Sequence, residues 1–274
     1  AEPDRLVTDQ DRALVGLCRH DRLLRMMRDF ILFDGPHKVI ARFQQVNAVN
    51  KTLARVQDHE RGQRSGGVIW HTQGSGKSLT MVMLARALIG QSSLKNARIV
   101  LVTDRVDLDK QIKGTFKNTG MEPVRATTGR ELAEFIQNGQ PGVVTTIINK
   151  FETAAREKAI DDSSEIFVLI DEGHRTQYGR YQAQMRRVFP NACYLAFTGT
   201  PISKKDRSTM DKFGDLIDTY TMRDAVEDGA VIPLIYEGRM IEPDMDETSL
   251  DKWFERLTNG LTNEQKADLK QKYS

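Results

Sequence analysis

The sequence predicts an α/β fold, a parallel sheet covered by helices on both faces with helical segments before and after it. Short apolar runs recur at 68–70, 99–102, 143–148, 166–170 and 194–197. Strands that are apolar at consecutive positions belong to sheets buried on both sides. Longer stretches between the runs, 79–89 and 106–116, carry their apolar residues at helical spacing, and Gly90 closes the first. Alternation of this kind is the pattern of a parallel sheet with crossover helices.

Taken in order, residues 9–33 place Leu14, Leu17, Leu24, Met27 and Ile31 at helical spacing and stop at Asp34-Gly35-Pro36. A second helix is predicted over 40–58. Residues 61–67, rich in Gly, Arg and Ser, read as a turn or loop. At the far end Pro233 restricts a further strand at 231–236 to a sheet edge. The chain then turns acidic and finishes in helical stretches at 250–257 and 263–270. The expected organisation is a helical lead-in over 1–62, a nucleotide-binding lobe over 63–240, and a helical linker or start of a further lobe over 241–274.

At 274 residues the chain exceeds the common domain size of about 100–150 residues, so one large core with an extra segment at each end is expected. A net charge of +2 leaves any nucleic-acid argument to local features. Cys18 and Cys193 stand far apart without a CxxC, which predicts a reducing compartment and neither a disulfide framework nor a zinc site. No apolar signal core begins the sequence, and no apolar run approaches the roughly 18–20 residues that span a bilayer. A cytoplasmic protein without a membrane partner is therefore expected. The missing initial Met and the charged helical run at 268–274 read as cut points in a longer polypeptide.

The most informative stretch is Trp70-His71-Thr72-Gln73-Gly74-Ser75-Gly76-Lys77-Ser78. A strand ends, a glycine-rich turn follows, and a helix starts at Lys77. Gly74 and Gly76 let the backbone curl so that successive N–H groups face a phosphate, and the helix N-terminus adds partial positive charge at the same point. Residues Thr72, Gln73, Gly74, Ser75, Gly76, Lys77 and Ser78 thus predict a cradle for ATP. Lys77 is placed for the β- and γ-phosphates and the Ser78 hydroxyl for Mg²⁺. One residue departs from the general GxxxxGK[ST] pattern: His71 stands where glycine is usual.

Further along, the apolar run 166–170 delivers Asp171 and Glu172 to the carboxyl edge of the sheet, where ligands bind in open α/β folds. Asp171 suits Mg²⁺ held through water. Glu172 suits orientation or deprotonation of an attacking water, with His174 and Arg175 next in sequence.

With these residues in place, the chain resembles a superfamily 2 helicase-type motor, and more narrowly the restriction (R) subunit of Type I restriction–modification enzymes. The resemblance spans roughly residues 20–240. It rests on Arg42-Phe43-Gln44-Gln45, the wording HTQGSGKS at 71–78, DRVDLD at 104–109, Thr145-Thr146 through Lys150, Asp171-Glu172-Gly173-His174-Arg175, and Thr198-Gly199-Thr200. The HTQGSGKS wording also accounts for His71. Gly173 replaces the more usual Ala of a DEAH box.

The resemblance implies a RecA-like lobe in which Gln45 reads adenine, with Phe33 or Phe30 as the stacking aromatic. It further implies that Lys77, Asp171, Glu172 and His174 serve ATP hydrolysis and that Thr198, Gly199 and Thr200 couple the nucleotide site to movement. Asp104, Arg105, Thr145, Thr146 and Lys150 become contacts to double-stranded DNA. The implied partners are that DNA and the methyltransferase and specificity subunits of the same complex. Between Arg175 and Lys212 there are eight Lys or Arg against two Asp or Glu, a local charge that adds a salt-dependent phosphate grip. Neither a second motor lobe nor a nuclease site is visible in the sequence, so feeble hydrolysis is expected. Other superfamily 2 motors, Type III restriction or repair enzymes, share the loop and the carboxylates. A nucleotide-dependent docking scaffold is the reading from a different class.

Overall fold

The computed structural model describes residues 6–60, 63–94, 96–139, 142–171, 177–200, 210, 213–232 and 247–273. The chain divides into two compact units, Ala1–Ile232 and Pro233–Ser274. Described parts of the second unit are two helices, Glu247–Leu257 and Asn263–Tyr273.

The first unit opens with helices α1 (Asp9–Cys18) and α2 (His20–Arg25) and a π-helical turn, Met26–Phe30. A hairpin of β1 (Ile31–Asp34) and β2 (His37–Ile40) follows, and then α3 (Phe43–Arg55). The single helix expected over 9–33 is thus broken. Thr8 and Asp11 form a capping box at the start of α1, and Arg19 is extended at its end. The β-prone run Ile31-Leu32-Phe33 turns at Gly35, whose φ of +60° glycine adopts without strain, and pairs back on 37–40. Phe30 and Leu32 are buried in the core, which decides against continuing the helix.

A short hairpin, β3 (His59–Glu60) with β4 (Gln63–Arg64), occupies the expected loop and leads into β5 (Gly67–His71) and α4 (Lys77–Ile89). There follow β6 (Arg98–Thr103), α5 (Val106–Asn118), β7 (Val124–Ala126), α6 (Gly129–Asn138), β8 (Gly142–Ile147), α7 (Lys150–Arg156), β9 (Ile166–Asp171), α8 (Gln177–Val188) and β10 (Cys193–Thr198). The edge strand β11 (Leu216–Tyr220) and the short α9 (Met222–Glu227) close the unit.

Strands β5 to β11 form one seven-stranded sheet in the order β11-β5-β10-β9-β6-β8-β7, and every pairing is parallel. Side chains alternate between two cores, as the two-residue period of a strand requires. Ile69, Leu101, Leu169 and Phe197 pack under α3, α4 and α5, whereas Val68, Val102, Ile170 and Ala196 pack under α6, α7 and α8. This two-sided burial is why the strands read as continuous apolar runs. The expected strand at 231–236 falls mostly outside the described residues, and Val231 and Ile232 are not in a strand. The strand that covers this edge is β11 instead. Among the described residues no helix is long and apolar enough to cross a membrane.

Candidate nucleotide site

The parallel sheet brings the carboxyl ends of β5, β10 and β9 side by side, so the segments leaving these strands share one edge. After His71 the Thr72 N–H donates to the Tyr220 carbonyl (2.9 Å) and Ser75 N–H to the Thr72 carbonyl (3.2 Å), which folds the chain back on itself. Gly74 and Gly76 have φ of +82° and +87°, a left-handed backbone that costs other residues roughly 1–2 kcal/mol. Helix α4 starts at Lys77 with Gly76 as its cap and without a capping side chain, leaving its first N–H groups directed at whatever occupies the loop. Ser75 is buried, and its hydroxyl has no hydrogen-bond partner among the described residues. The Lys77 ammonium donates to the His71 carbonyl at 3.3 Å.

Gln45 lies against this loop. Its carbonyl oxygen accepts from the Arg42 N–H (2.8 Å), and its amide donates to the Gly76 carbonyl (3.1 Å). Of the two aromatic residues expected beside it, Phe30 is buried in the core and has no free face. Phe33 is exposed on the β1–β2 hairpin, in a cleft with Arg86 and Asn118 rather than with loop residues. The exposed ring at this end of α3 is Phe43, whose edge meets Tyr220 at a centroid distance of 6.0 Å. Its position two residues before Gln45 was the available signal.

Asp171 ends β9, half-buried at the same edge. Glu172, His174 and Arg175 lie outside the described residues. Thr198 ends β10 fully buried, with its hydroxyl accepting from the Thr200 N–H at 3.2 Å. A Cβ on Gly199 would stand 2.9 Å from the Lys77 ammonium and 3.5 Å from the Gln73 nitrogen. The Thr198-Gly199-Thr200 turn therefore rests against the phosphate loop itself.

The expected DNA contacts divide. Arg105 is exposed and Lys150 half-buried at the ends of β6 and β8. The Asp104 side chain is nearly enclosed, 3.9 Å from Arg105. Thr145 and Thr146 are fully buried, and the Thr146 hydroxyl donates to the Ala126 carbonyl at 3.4 Å. The expectation that these two hydroxyls meet DNA is corrected here. β8 lies between β6 and β7 with helices over both faces, so its side chains point into the helix layers. In the basic stretch, Arg186 and Arg187 are exposed on α8, while Arg175, Lys204, Lys205, Arg207 and Lys212 lie outside the described residues.

Asp109, the last residue of DRVDLD, is buried and ion-paired with Arg125 of β7. His71 is fully buried too, with Nε2 2.7 Å from the Asp218 carboxylate of β11; the other carboxylate oxygen accepts from the Lys51 ammonium of α3 at 2.6 Å. Burial acts to raise the Asp218 pKa, but the hydrogen bonds and charges of His71 and Lys51 outweigh it and hold the carboxyl below its ordinary value. Sequence reading did not find Lys51, Asp218 or Tyr220, because nothing local marks residues paired across the sheet.

A parallel sheet with a glycine-rich phosphate loop after β5 and a carboxylate at the end of β9 defines a RecA-like nucleotide-binding domain. The family model for the SWI2/SNF2 ATPase matches residues 44–267, and the chain belongs to that family. It is 35% identical over 94% of its length to the putative Type I restriction enzyme MjaIXP endonuclease subunit of Methanocaldococcus jannaschii, and covers 25% of that relative. It is 38% identical over 82% of its length to the Type I restriction enzyme HindI endonuclease subunit of Haemophilus influenzae, covering 24% of it. The chain thus spans about a quarter of the length of these curated relatives. Among solved structures, the UvsW helicase of bacteriophage T4 superposes with a TM-score of 0.51 at 14% identity, over 73% of this chain and 67% of that one. The Sulfolobus solfataricus SWI2/SNF2 ATPase core, solved with double-stranded DNA, superposes with a TM-score of 0.50 at 16% identity, over 66% and 36%. At these identities the two superpositions speak for the fold alone.

Proposed function

We propose that this chain is the ATP-binding motor lobe of the R subunit of a Type I restriction enzyme. In that role it couples ATP hydrolysis to movement along double-stranded DNA before cleavage by a nuclease domain. The observation that carries the reading is the packing of Gly199 against Lys77, which joins the end of β10 to the phosphate loop. A change at the γ-phosphate moves Lys77, and the Thr198-Gly199-Thr200 turn is built to feel it. The restriction assignment is supported by the two relatives and by the wordings HTQGSGKS and DRVDLD.

In this reading Thr72, Gln73, Gly74, Ser75, Gly76 and Ser78 cradle the phosphates with backbone N–H groups and hydroxyls, and the orphaned Ser75 hydroxyl faces a polar ligand. Gln45 and Phe43 take the adenine. The hydroxyl of Ser78 and the carboxylate of Asp171, both oxygen donors at one sheet edge, suit Mg²⁺. When bound, the ion would neutralise phosphate charge. Lys77 shares that work, Glu172 orients the attacking water, and His174 is assigned to hydrolysis with them. Arg105 and Lys150 are the groups assigned to DNA phosphates, with Asp104 steadying Arg105. Methyltransferase and specificity subunits are the proposed partners in a cytoplasmic assembly. Residues 1–62, 63–240 and 241–274 are the proposed lead-in, motor lobe and linker.

Phosphate release by this chain, measured with ATP–Mg²⁺ with and without a DNA duplex, tests the reading. Phosphate release is expected to require Mg²⁺ and the Lys77 side chain. Duplex binding should be insensitive to sequence and weaken steeply with salt. Phosphate release indifferent to Mg²⁺, or no duplex binding at low salt, would contradict it.

A further inference from the structure

His71 breaks the glycine pattern of the phosphate loop, and a fully buried imidazole in place of glycine needs a physical reason. The structure supplies one. His71 is joined through Nε2 to Asp218, and Asp218 through its other oxygen to Lys51. An ionised carboxylate only accepts, so His71 donates from Nε2. The backbone beside this ring is where the loop is made, because the His71 carbonyl accepts from the Lys77 ammonium and the Thr72 N–H is held by the Tyr220 carbonyl. Lys51 sits on α3, the helix that also presents Gln45 to the Gly76 carbonyl. Helix α3 therefore meets the phosphate loop at both of its ends, directly at Gly76 and through Asp218 at His71.

We propose that His71 and Asp218 are positioning residues that set the height of the Lys77 ammonium over the loop, and that Lys51 ties this setting to the seat of α3. The inference rests on the nucleotide-binding reading above. Its consequence is selectivity. A loop whose His71 carbonyl has shifted misplaces Lys77 chiefly for a nucleotide that carries a γ-phosphate, and less for one that ends at the β-phosphate. A role confined to anchoring the edge strand β11 would instead lower both affinities together.

The geometry offers a matched pair of variants. A glutamine amide nitrogen reaches to where Nε2 of histidine lies, whereas an asparagine amide stops near Nδ1. His71→Gln can keep the bond to Asp218 and His71→Asn cannot. The experiment titrates a non-hydrolysable ATP analogue and ADP, each with Mg²⁺, into the whole chain and its His71→Asn, His71→Gln and Lys51→Met variants, with thermal unfolding run alongside. Loss of a hydrogen bond to a charged partner is expected to weaken the ATP analogue roughly tenfold in His71→Asn. ADP should weaken much less, so the preference for the triphosphate narrows. His71→Gln should restore that preference, and Lys51→Met should narrow it in part. Equal losses for both nucleotides, or no difference between Asn and Gln, would overturn the proposal while leaving the nucleotide site in place. A wild-type chain that binds neither nucleotide would overturn the nucleotide reading itself, and this inference with it. The Lys51→Met variant leaves the His71–Asp218 bond intact, so it reports on the link to α3 even if His71→Asn unfolds.

Discussion

Replacing Lys77 with alanine is expected to weaken ATP–Mg²⁺ binding by about 100-fold, corresponding to two or so charged hydrogen bonds lost from the phosphates. Lys77 is the one charged side chain in the stretch 72–78, so nothing in the loop substitutes for it. Its ammonium already rests at the loop, 3.3 Å from the His71 carbonyl, and needs only a short swing to meet a phosphate. The fold should tolerate the change. Lys77 is half-buried at the first turn of α4, and alanine is the best helix former. Calorimetric titration checks the affinity, and an unchanged melting temperature would confirm that the loss is local.

The second large effect is expected at Gly76. An alanine there must hold φ near +87° and place its Cβ 2.7 Å from the Gln45 amide nitrogen. The backbone term alone costs about 1–2 kcal/mol, and Gln45 is pushed off the Gly76 carbonyl as well. Gly74→Ala faces a similar backbone term at φ +82°, but its Cβ meets only the Val231 side chain at 3.8 Å, an ordinary contact. Gly76→Ala should therefore lose at least about tenfold more nucleotide affinity than Gly74→Ala, with Gln45 displaced from the adenine side. Side-by-side titration of the two variants checks the order. An equal loss in both would mean that Gln45 takes no part in the site.

The contrast between these positions shows where a sequence speaks for itself. The phosphate loop was legible because its needs are local: a strand end, glycines for left-handed turns, a lysine and a hydroxyl opening a helix. Strands β5, β6, β8, β9 and β10 were legible because burial on both faces leaves unbroken apolar runs. β11 was not. Its Asp218 reads as a loop residue, and only the partners His71 and Lys51, far off in sequence, make a buried aspartate stable there. The same blindness hid the reason for His71. Thr145 and Thr146 were assigned to DNA by resemblance alone, although the apolar run around them already marks β8 as a strand buried on both faces. Phe30 and Phe33 were the aromatics expected beside Gln45; burial removes the first and its neighbours across the fold remove the second. The helix expected over 9–33 failed for a local reason. Helical periodicity and a β-prone run overlap at 31–33, and pairing with 37–40 decided between them.

In the proposed role the turn between His71 and Ser78 holds a nucleoside triphosphate, with Ser78 and Asp171 providing for magnesium. Titration of ATP into the wild-type chain, first with Mg²⁺ and then with EDTA, tests it most directly. Saturable one-to-one binding that weakens markedly when magnesium is removed is expected, and Asp171→Asn should lose this magnesium dependence. Absence of saturable binding up to millimolar ATP–Mg²⁺ by a folded chain, or binding indifferent to magnesium, would contradict it.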